Sequence, residues 1–281
     1  MMSLEGRVAL VTGSTSGIGL AYARAFASAG ANIVLNGMGA PADIEKERSG
    51  IEKDFKVKAV HSPADMTRPA EIAEMIALGE KTFGAVDILV NNAGIGQGAI
   101  REDQRWNPIR FWEITPEEWS RFLAVNATAP LMMARAVAPH MLKAGAGRIV
   151  TVTTSLGTML RAGYTLCGAS KAAAEAATAI MSEDLKDTAI TANVLVPGGA
   201  ANTRMVSVGQ EPDRAKLVSP DVMAAPLVWL CSNASDGVNG LRFIGARWDQ
   251  SLPPAEAAKK AGAPAAWQQL GRQAIVPNSP R

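Results

Sequence analysis

Residues Arg7-Val8-Ala9-Leu10-Val11-Thr12 form a short apolar, β-branched run. It breaks at once into Thr12-Gly13-Ser14-Thr15-Ser16-Gly17-Ile18-Gly19, after which Leu20, Ala23, Phe26 and Ala27 recur at helical spacing. A buried strand, a glycine loop and a helix in that order leave few folds open. The combination suits the diphosphate of a dinucleotide: glycines let the backbone approach the ligand, and the helix N-terminus offers free N–H groups and the positive end of its dipole. A plain turn between strand and helix would share the outline, but the full succession favours the dinucleotide reading. Gly13, Ser16, Gly17, Ile18 and Gly19 are the candidate contacts.

The rest of the chain repeats the alternation. Further strands are expected at Asn32–Asn36, Val57–Val60, Val86–Val90, Arg148–Val152, Ile190–Val196 and Leu241–Ile244. Helices are expected over 41–53, 69–83, about 164–185 and 220–231. Thr115-Pro116-Glu117-Glu118 has the composition of a helix start, with Thr115 at the N-cap, Pro116 at N1 and Glu118 at N3. No linker or internal repeat divides the chain, so residues 1–281 read as one domain with a proline-containing tail from about 251.

Composition excludes several function classes. A net charge of +2 argues against nucleic acid or a membrane surface as partner. No apolar run is long enough to span a membrane, and the first residues lack the apolar core of a signal peptide. The two cysteines, Cys167 and Cys231, make neither a disulfide framework nor a metal-ligand pattern. Free thiols, a cytoplasmic location and no metal are expected.

Several motifs occur together and in order: the Gly-x-x-x-Gly-x-Gly loop, Asn91-Asn92-Ala93-Gly94, Asn126, Lys171 and Pro197-Gly198. On these residues, residues 4 to 250 resemble the short-chain dehydrogenase/reductase family. The resemblance implies a Rossmann-type doubly wound α/β sheet of about seven parallel strands flanked by helices. It also implies an NAD(P)-dependent oxidoreductase that interconverts a small-molecule carbonyl and an alcohol. The N-terminal third, notably 12–20 and Val34-Leu35-Asn36-Gly37, is similar to bacterial 3-hydroxybutyrate dehydrogenases, which use NAD. The end of the second expected strand, Asn36-Gly37-Met38-Gly39, has no cation for a 2′-phosphate, so NAD is favoured over NADP.

The resemblance also carries residue roles. Asp65 would bond the adenine, although Asp65 or Thr67 could equally cap the following helix. Asn91, Ala93 and Gly94 would lie beside the adenosine, in part as structure. Asn126 would interrupt its helix and hold a water of the proton relay; as a bare residue it would more often be a satisfied buried amide. Thr154, thirteen residues before Cys167, takes the place of the family's serine, unless a shift of one makes it Ser155. Pro197, Gly198 and Thr203 would meet the nicotinamide side, with a mobile lid from Thr203 to about Leu217. The alanine-rich helix around Ala172–Ala177 would contribute to a homotetramer or homodimer; it could equally be a strong helix former without an interface role.

The departure from the family lies in Cys167-Gly168-Ala169-Ser170-Lys171. The family places Tyr four residues before this Lys, to pass a proton while the Lys binds ribose and lowers the phenol's pKa. Here the position holds Cys167. A thiol has a reference pKa of about 8.5 against about 10 for a phenol, and Lys171 nearby should lower it further, so proton chemistry is feasible. Reach is the difficulty, and a water or a large substrate would have to fill the gap. Tyr164 lies about two turns, on the order of 10 Å, from Lys171. Three outcomes follow: an oxidoreductase with an altered acid/base group, a cofactor-binding protein with impaired catalysis, or a nucleophilic thiolate that adds to an aldehyde. The long segment 96–113, with Arg101, Arg105, Trp106, Arg110, Phe111 and Trp112, suits either substrate recognition or a subunit contact.

Overall fold

The computed structural model describes residues 2–206 and 213–268. The elements run β1 (Val8–Val11), α1 (Gly17–Ser28), β2 (Asn32–Asn36), α2 (Pro41–Phe55), β3 (Ala59–Ser62), α3 (Pro69–Phe83) and β4 (Ile88–Asn91). They continue with α4 (Pro116–Leu123), α5 (Ala129–Ala144), β5 (Gly147–Val152), α6 (Leu156–Met159), α7 (Thr165–Asp184), β6 (Ile190–Val196), α8 (Ala224–Cys231), β7 (Leu241–Ile244), α9 (Pro254–Ala261) and β8 (Gly262–Pro264).

One sheet has the order β3-β2-β1-β4-β5-β6-β7-β8. Each pair from β3 to β7 is parallel, and β8 returns antiparallel along β7. This is the doubly wound α/β fold the motifs imply, with one strand more than the expected seven. The eighth comes from the proline-containing tail, which forms α9 and β8. Ala257 and Ala261 of α9 are buried, so small side chains let this helix turn back and deliver β8 to the sheet edge.

The central strands are apolar throughout because helices cover both faces. Alternate residues sort to opposite sides, as the period of two requires. Ala9, Val11, Ile33, Leu35, Ile88 and Val90 pack with Tyr22 and Phe26 of α1 and Trp229 of α8. Val8, Leu10, Val34, Leu89 and Ile149 pack with Ile72 and Met75 of α3 and Met133, Val137 and Met141 of α5. Pro41, Pro69 and Pro116 open α2, α3 and α4, where a missing N–H costs nothing. The helix start read at Thr115 forms as a capping box: Glu118 N–H donates to Thr115 Oγ1 at 3.2 Å, and Thr115 N–H donates to Glu118 Oε2 at 3.0 Å. β3 begins two residues later than its apolar run suggests, because α2 continues to Phe55 and closes on Lys56 in the left-handed region, φ 61°.

The strand order reverses between β1 and β4. In open α/β sheets the crevice beyond the strand ends at such a point receives the ligand. Leu89, fully buried at the centre of β4, tests this core. Leu89→Ala should lower unfolding free energy by about 2–5 kcal/mol, read from denaturant titration of native and variant protein.

Candidate active site

The loops after β1, β4, β5 and β6 converge at one end of the sheet. In the first, Gly13 takes φ +65° and Gly17 φ +57°, which non-glycine residues seldom adopt. Ser16 is the N-cap of α1 but makes no side-chain cap bond, and the first turn carries no acid. The first turn of the helix, and its dipole, are thus free for an anion. Ile18 packs inward against the α1 core.

Asn36, a cofactor-binding candidate at the strand end where the resemblance puts the adenosine ribose, directs its side chain into the protein. Its Oδ1 accepts from Gly13 N at 3.1 Å, and its Nδ2 donates to the carbonyls of Ser62 and Ala64. It shapes the loop that would carry the cofactor. Asp65 also turns to its own chain: its Oδ1 accepts from Thr67 N at 2.8 Å and Thr67 Oγ1 at 2.9 Å, which holds its carboxyl below the usual range. The N-cap of α3 is Arg68, so neither Asp65 nor Thr67 caps that helix directly.

The Asn91–Gly94 segment divides between structure and site. Asn91 points into the protein, donating to Pro130 O at 3.1 Å. Ala93 N–H donates to Thr12 Oγ1 at 2.9 Å. Gly94 marks where distant motifs meet: a β-carbon there would sit 3.1 Å from Asn126 Oδ1 and 3.2 Å from Lys171 Nζ. Glycine at 94 is what allows an amide from one helix and an ammonium from another to crowd this loop.

Asn126 lies in a wide π-turn, Ala124–Thr128, between α4 and α5, and is fully buried. Such turns recur at functional sites. Its Oδ1 accepts from Ile95 N at 2.9 Å, and its Nδ2 donates to Ile95 O and to Ser170 Oγ, each at 3.0 Å. The amide is satisfied within the protein and joins the β4 loop to α7.

Lys171 and Cys167 lie one turn apart on α7. Lys171 Nζ donates to Val152 O at 2.9 Å. Burial pushes the Cys167 thiol above its ordinary value, and the Lys171 charge offsets this only in part. Burial likewise lowers Lys171, with the cysteine opposing. The expectation that Lys171 leaves the thiol acidified is therefore corrected: desolvation disfavours the thiolate more than one ammonium stabilises it. Cys231 is buried, and its thiol is raised further.

Thr154 and Ser155 separate by use. Ser155 caps α6, its Oγ accepting from Thr158 N at 3.2 Å and bonding Thr158 Oγ1 at 2.9 Å. Thr154 is half-buried, and among the described residues its hydroxyl has no hydrogen-bond partner. It is the freer of the two. Tyr164 caps the start of α7; Gln104 Nε2 donates to its hydroxyl at 3.2 Å, and the Arg161 guanidinium lies 5.1 Å from its ring centre. Segment 96–113 therefore docks on the approach to α7 through Gln104, and through Gln97, which donates to Gly163 O at 3.3 Å.

Beyond β6, Pro197 O accepts from Ala246 N at 3.0 Å, and Gly198 turns with φ +94°. Thr203 reaches back over the glycine loop: a β-carbon at Gly17 would lie 3.2 Å from its methyl. Arg204 Nη2 donates to Ser16 Oγ at 2.8 Å, bringing a cation to the N-terminus of α1. Sequence reasoning missed Arg204, since only folding takes it 188 residues back to Ser16. Of the expected lid, 207–212 lie outside the described residues, as does the tail beyond 268; the flanks of the lid join at the Ala201–Val218 bridge.

The family model described as short chain dehydrogenase matches residues 7–213. A D-beta-hydroxybutyrate dehydrogenase of Rhizobium meliloti is 38% identical over 210 residues, 75% of this chain and 77% of the relative. A 5-keto-D-gluconate 5-reductase of Escherichia coli is 33% identical over 260 residues, 87% of this chain and 96% of that protein. A crystal structure assigned to a gluconate dehydrogenase of Agrobacterium tumefaciens superposes with a TM-score of 0.75 at 31% identity, covering 86% of this chain and 94% of its own. The chain belongs to the short chain dehydrogenase family. Among the described residues no cluster of metal-ligating side chains occurs, and no helix is long and apolar enough to cross a membrane.

Two measurements probe this geometry. A β-carbon at Gly19 would overlap the Gly13 carbonyl oxygen and lie 2.6 Å from Asn92 Nδ2; Gly19→Ala should weaken NADH binding at least tenfold in a fluorescence titration. Iodoacetamide should label Cys167 more slowly than a free cysteine at pH 7. Because only the thiolate reacts, the rate should rise about tenfold per pH unit below the thiol's pKa, and a Cys167→Ser variant should leave little label.

Proposed function

We propose that this protein is an oxidoreductase that interconverts a carbonyl and an alcohol on a small molecule, prefers NAD to NADP, and has Cys167 where its relatives' tyrosine would act. The observation that carries the reading is the meeting at Gly94 of Asn126 and Lys171, beside the glycine loop and at the reversal point of the sheet. Relatives named for hydroxybutyrate and keto-gluconate support an alcohol–carbonyl reaction.

The residues fit a dinucleotide. Gly13, Ser16, Gly17, Ile18 and Gly19 would cradle the diphosphate on the open first turn of α1, with Arg204 adding a charge. Ala93 and Gly94 would line the adenosine side, with Asn91 and Asn36 bracing from behind. Lys171 would meet the ribose, and Pro197, Gly198 and Thr203 the nicotinamide end. Asp65 would reach the adenine by releasing Thr67. Bound NAD(H) would supply the hydride acceptor or donor. The preference for NAD rests on the end of β2, where Asn36 is buried and Gly37, Met38 and Gly39 carry no charge.

The chain's own part is to hold the substrate oxygen and its proton. The free hydroxyl of Thr154 would bond that oxygen, with Ser155 fixing the turn beneath it. Cys167, protonated at neutral pH, would serve as proton donor in reduction, directly or through a water. Asn126 would order the backbone on which Lys171 and that water depend. A raised thiol pKa does not suit a resident thiolate nucleophile. It leaves one competing reading: that the short, buried thiol cannot deliver its proton, and the protein binds cofactor with little turnover. A cytoplasmic homotetramer or homodimer fits the exposed Leu131 and Leu142 of α5 and Ile180 of α7.

The deciding experiment offers hydroxybutyrate, gluconate, their keto forms and simple ketones and aldehydes, with NAD(H) and NADP(H), to native protein, Cys167→Ala and Cys167→Tyr. Native protein should turn over with NAD(H) and bind NADH at least tenfold tighter than NADPH. Cys167→Ala should lose roughly 10²–10⁴-fold in kcat with NADH affinity within twofold of native. Turnover by Cys167→Tyr alone would replace this reading with the impaired, cofactor-binding one.

A further inference from the structure

Glu175 lies one helical turn beyond Lys171 on α7, inside the alanine-rich stretch, and is fully buried. A carboxylate in such a place costs several kcal/mol unless it is paired and hydrogen-bonded. It is both. Its Oε1 accepts from Arg242 Nε at 3.0 Å, and its Oε2 accepts from Thr153 Oγ1 at 2.8 Å. A longer bond of 3.4 Å comes from Ala266 N. Arg242, on β7, is itself largely buried, and its Nη2 donates to the Thr154 carbonyl at 2.6 Å.

These bonds close a ring. Glu175 stands on the helix that carries Cys167 and Lys171; Thr153 and Thr154 stand at the end of β5; Arg242 spans the two. A buried ion pair is seldom worth more stability than an apolar pair of the same volume. What it supplies is direction, since charge-assisted bonds of a guanidinium and a carboxylate fix both distance and angle. Packed methyl groups would fill the space and still let the strand end slide along the helix.

We propose that Glu175 and Arg242 are positioning residues of the site: together they set where the Thr154 hydroxyl stands relative to the Cys167 thiol and Lys171. Neither faces the substrate. They act through the backbone of Thr154 and the side chain of Thr153. The inference rests on the catalytic reading above for its effect on turnover, but not for its effect on Cys167.

The test separates positioning from stability. Glu175→Gln and Arg242→Met each leave one buried partner unpaired and should lower Tm. The double variant Glu175→Met, Arg242→Met replaces the pair by apolar volume and should recover most of that loss, with NADH affinity within twofold of native. Its Cys167 alkylation rate should nonetheless differ from native by fivefold or more, because α7, about two turns beyond Cys167, has lost its charge-assisted tie to the end of β5. Its kcat on whichever substrate the native protein turns over should fall at least tenfold, with KM changing less. A double variant with native alkylation rate and native kcat would overturn the proposal. Should native protein turn over nothing while binding NADH, the catalytic reading fails, and the alkylation rates alone decide the positioning one. Should the double variant not fold, Thr153→Val removes a single bond of the ring at nearly constant volume. An alkylation rate shifted at least twofold supports the proposal, and a native rate overturns it.

Discussion

The Thr12 hydroxyl joins the two halves of the site. It accepts from the N–H groups of Asn92 and Ala93, each at 2.9 Å, and donates to Val90 O at 3.3 Å. Asn92 returns the bond, its Nδ2 donating to the carbonyls of Thr12 and Gly13. The glycine loop after β1 and the loop after β4 are thereby locked together where the strand order reverses. Parallel strands end on the same side of a sheet, and a reversal leaves a gap between the outgoing connections. Thr12 and Asn92 hold the floor of that gap closed while leaving its mouth open. Gly13, Gly94 and, through Gly94, Asn126 and Lys171 take their places relative to this lock.

Burial then decides the chemistry. Lys171 and Cys167 each lose hydration, so each is biased toward its neutral form, and their mutual attraction opposes that bias without reversing it. Burial thus favours the protonated thiol at Cys167, and the lysine one turn away does not overturn that preference. The buried carboxyl of Glu175 is instead hydrogen-bonded by Arg242 and Thr153. Two polar groups on one helix, a turn apart, thus find different partners: Lys171 donates to the Val152 carbonyl, and Glu175 accepts from Arg242 and Thr153.

The outer segments shape access. Segment 96–113 docks on Gly163 and Tyr164 through Gln97 and Gln104. Residues after β6 lean over Gly17 and Ser16 through Thr203 and Arg204. One segment is therefore fixed to the start of α7 and the other to the glycine loop. The C-terminal segment, through β8 and Ala266, reaches the carboxylate of Glu175 from the far edge of the sheet.

Local sequence by itself determined the alternation of strands and helices, the glycine loop, the capping box at Thr115 and the family. These depend on periodicity, on residues that tolerate special backbone angles, and on motifs only a few residues long. It also set Cys167 four residues before Lys171, a spacing visible without a fold. Only the tertiary structure decided what surrounds them. The side chain of Asn36 bonds Gly13, Ser62 and Ala64, Ser155 caps a short helix beside Thr154, and the tail adds a helix and an antiparallel strand. Glu175 and Arg242, 67 residues apart, carry no local signal at all: a glutamate in an alanine-rich helix looks solvent-exposed until the sheet closes over it. The sign of the Cys167 shift is of the same kind. The lysine four residues away is written in the chain, but the desolvation that outweighs it belongs to the packed protein, since the depth of burial is a property of all the elements that meet around the site.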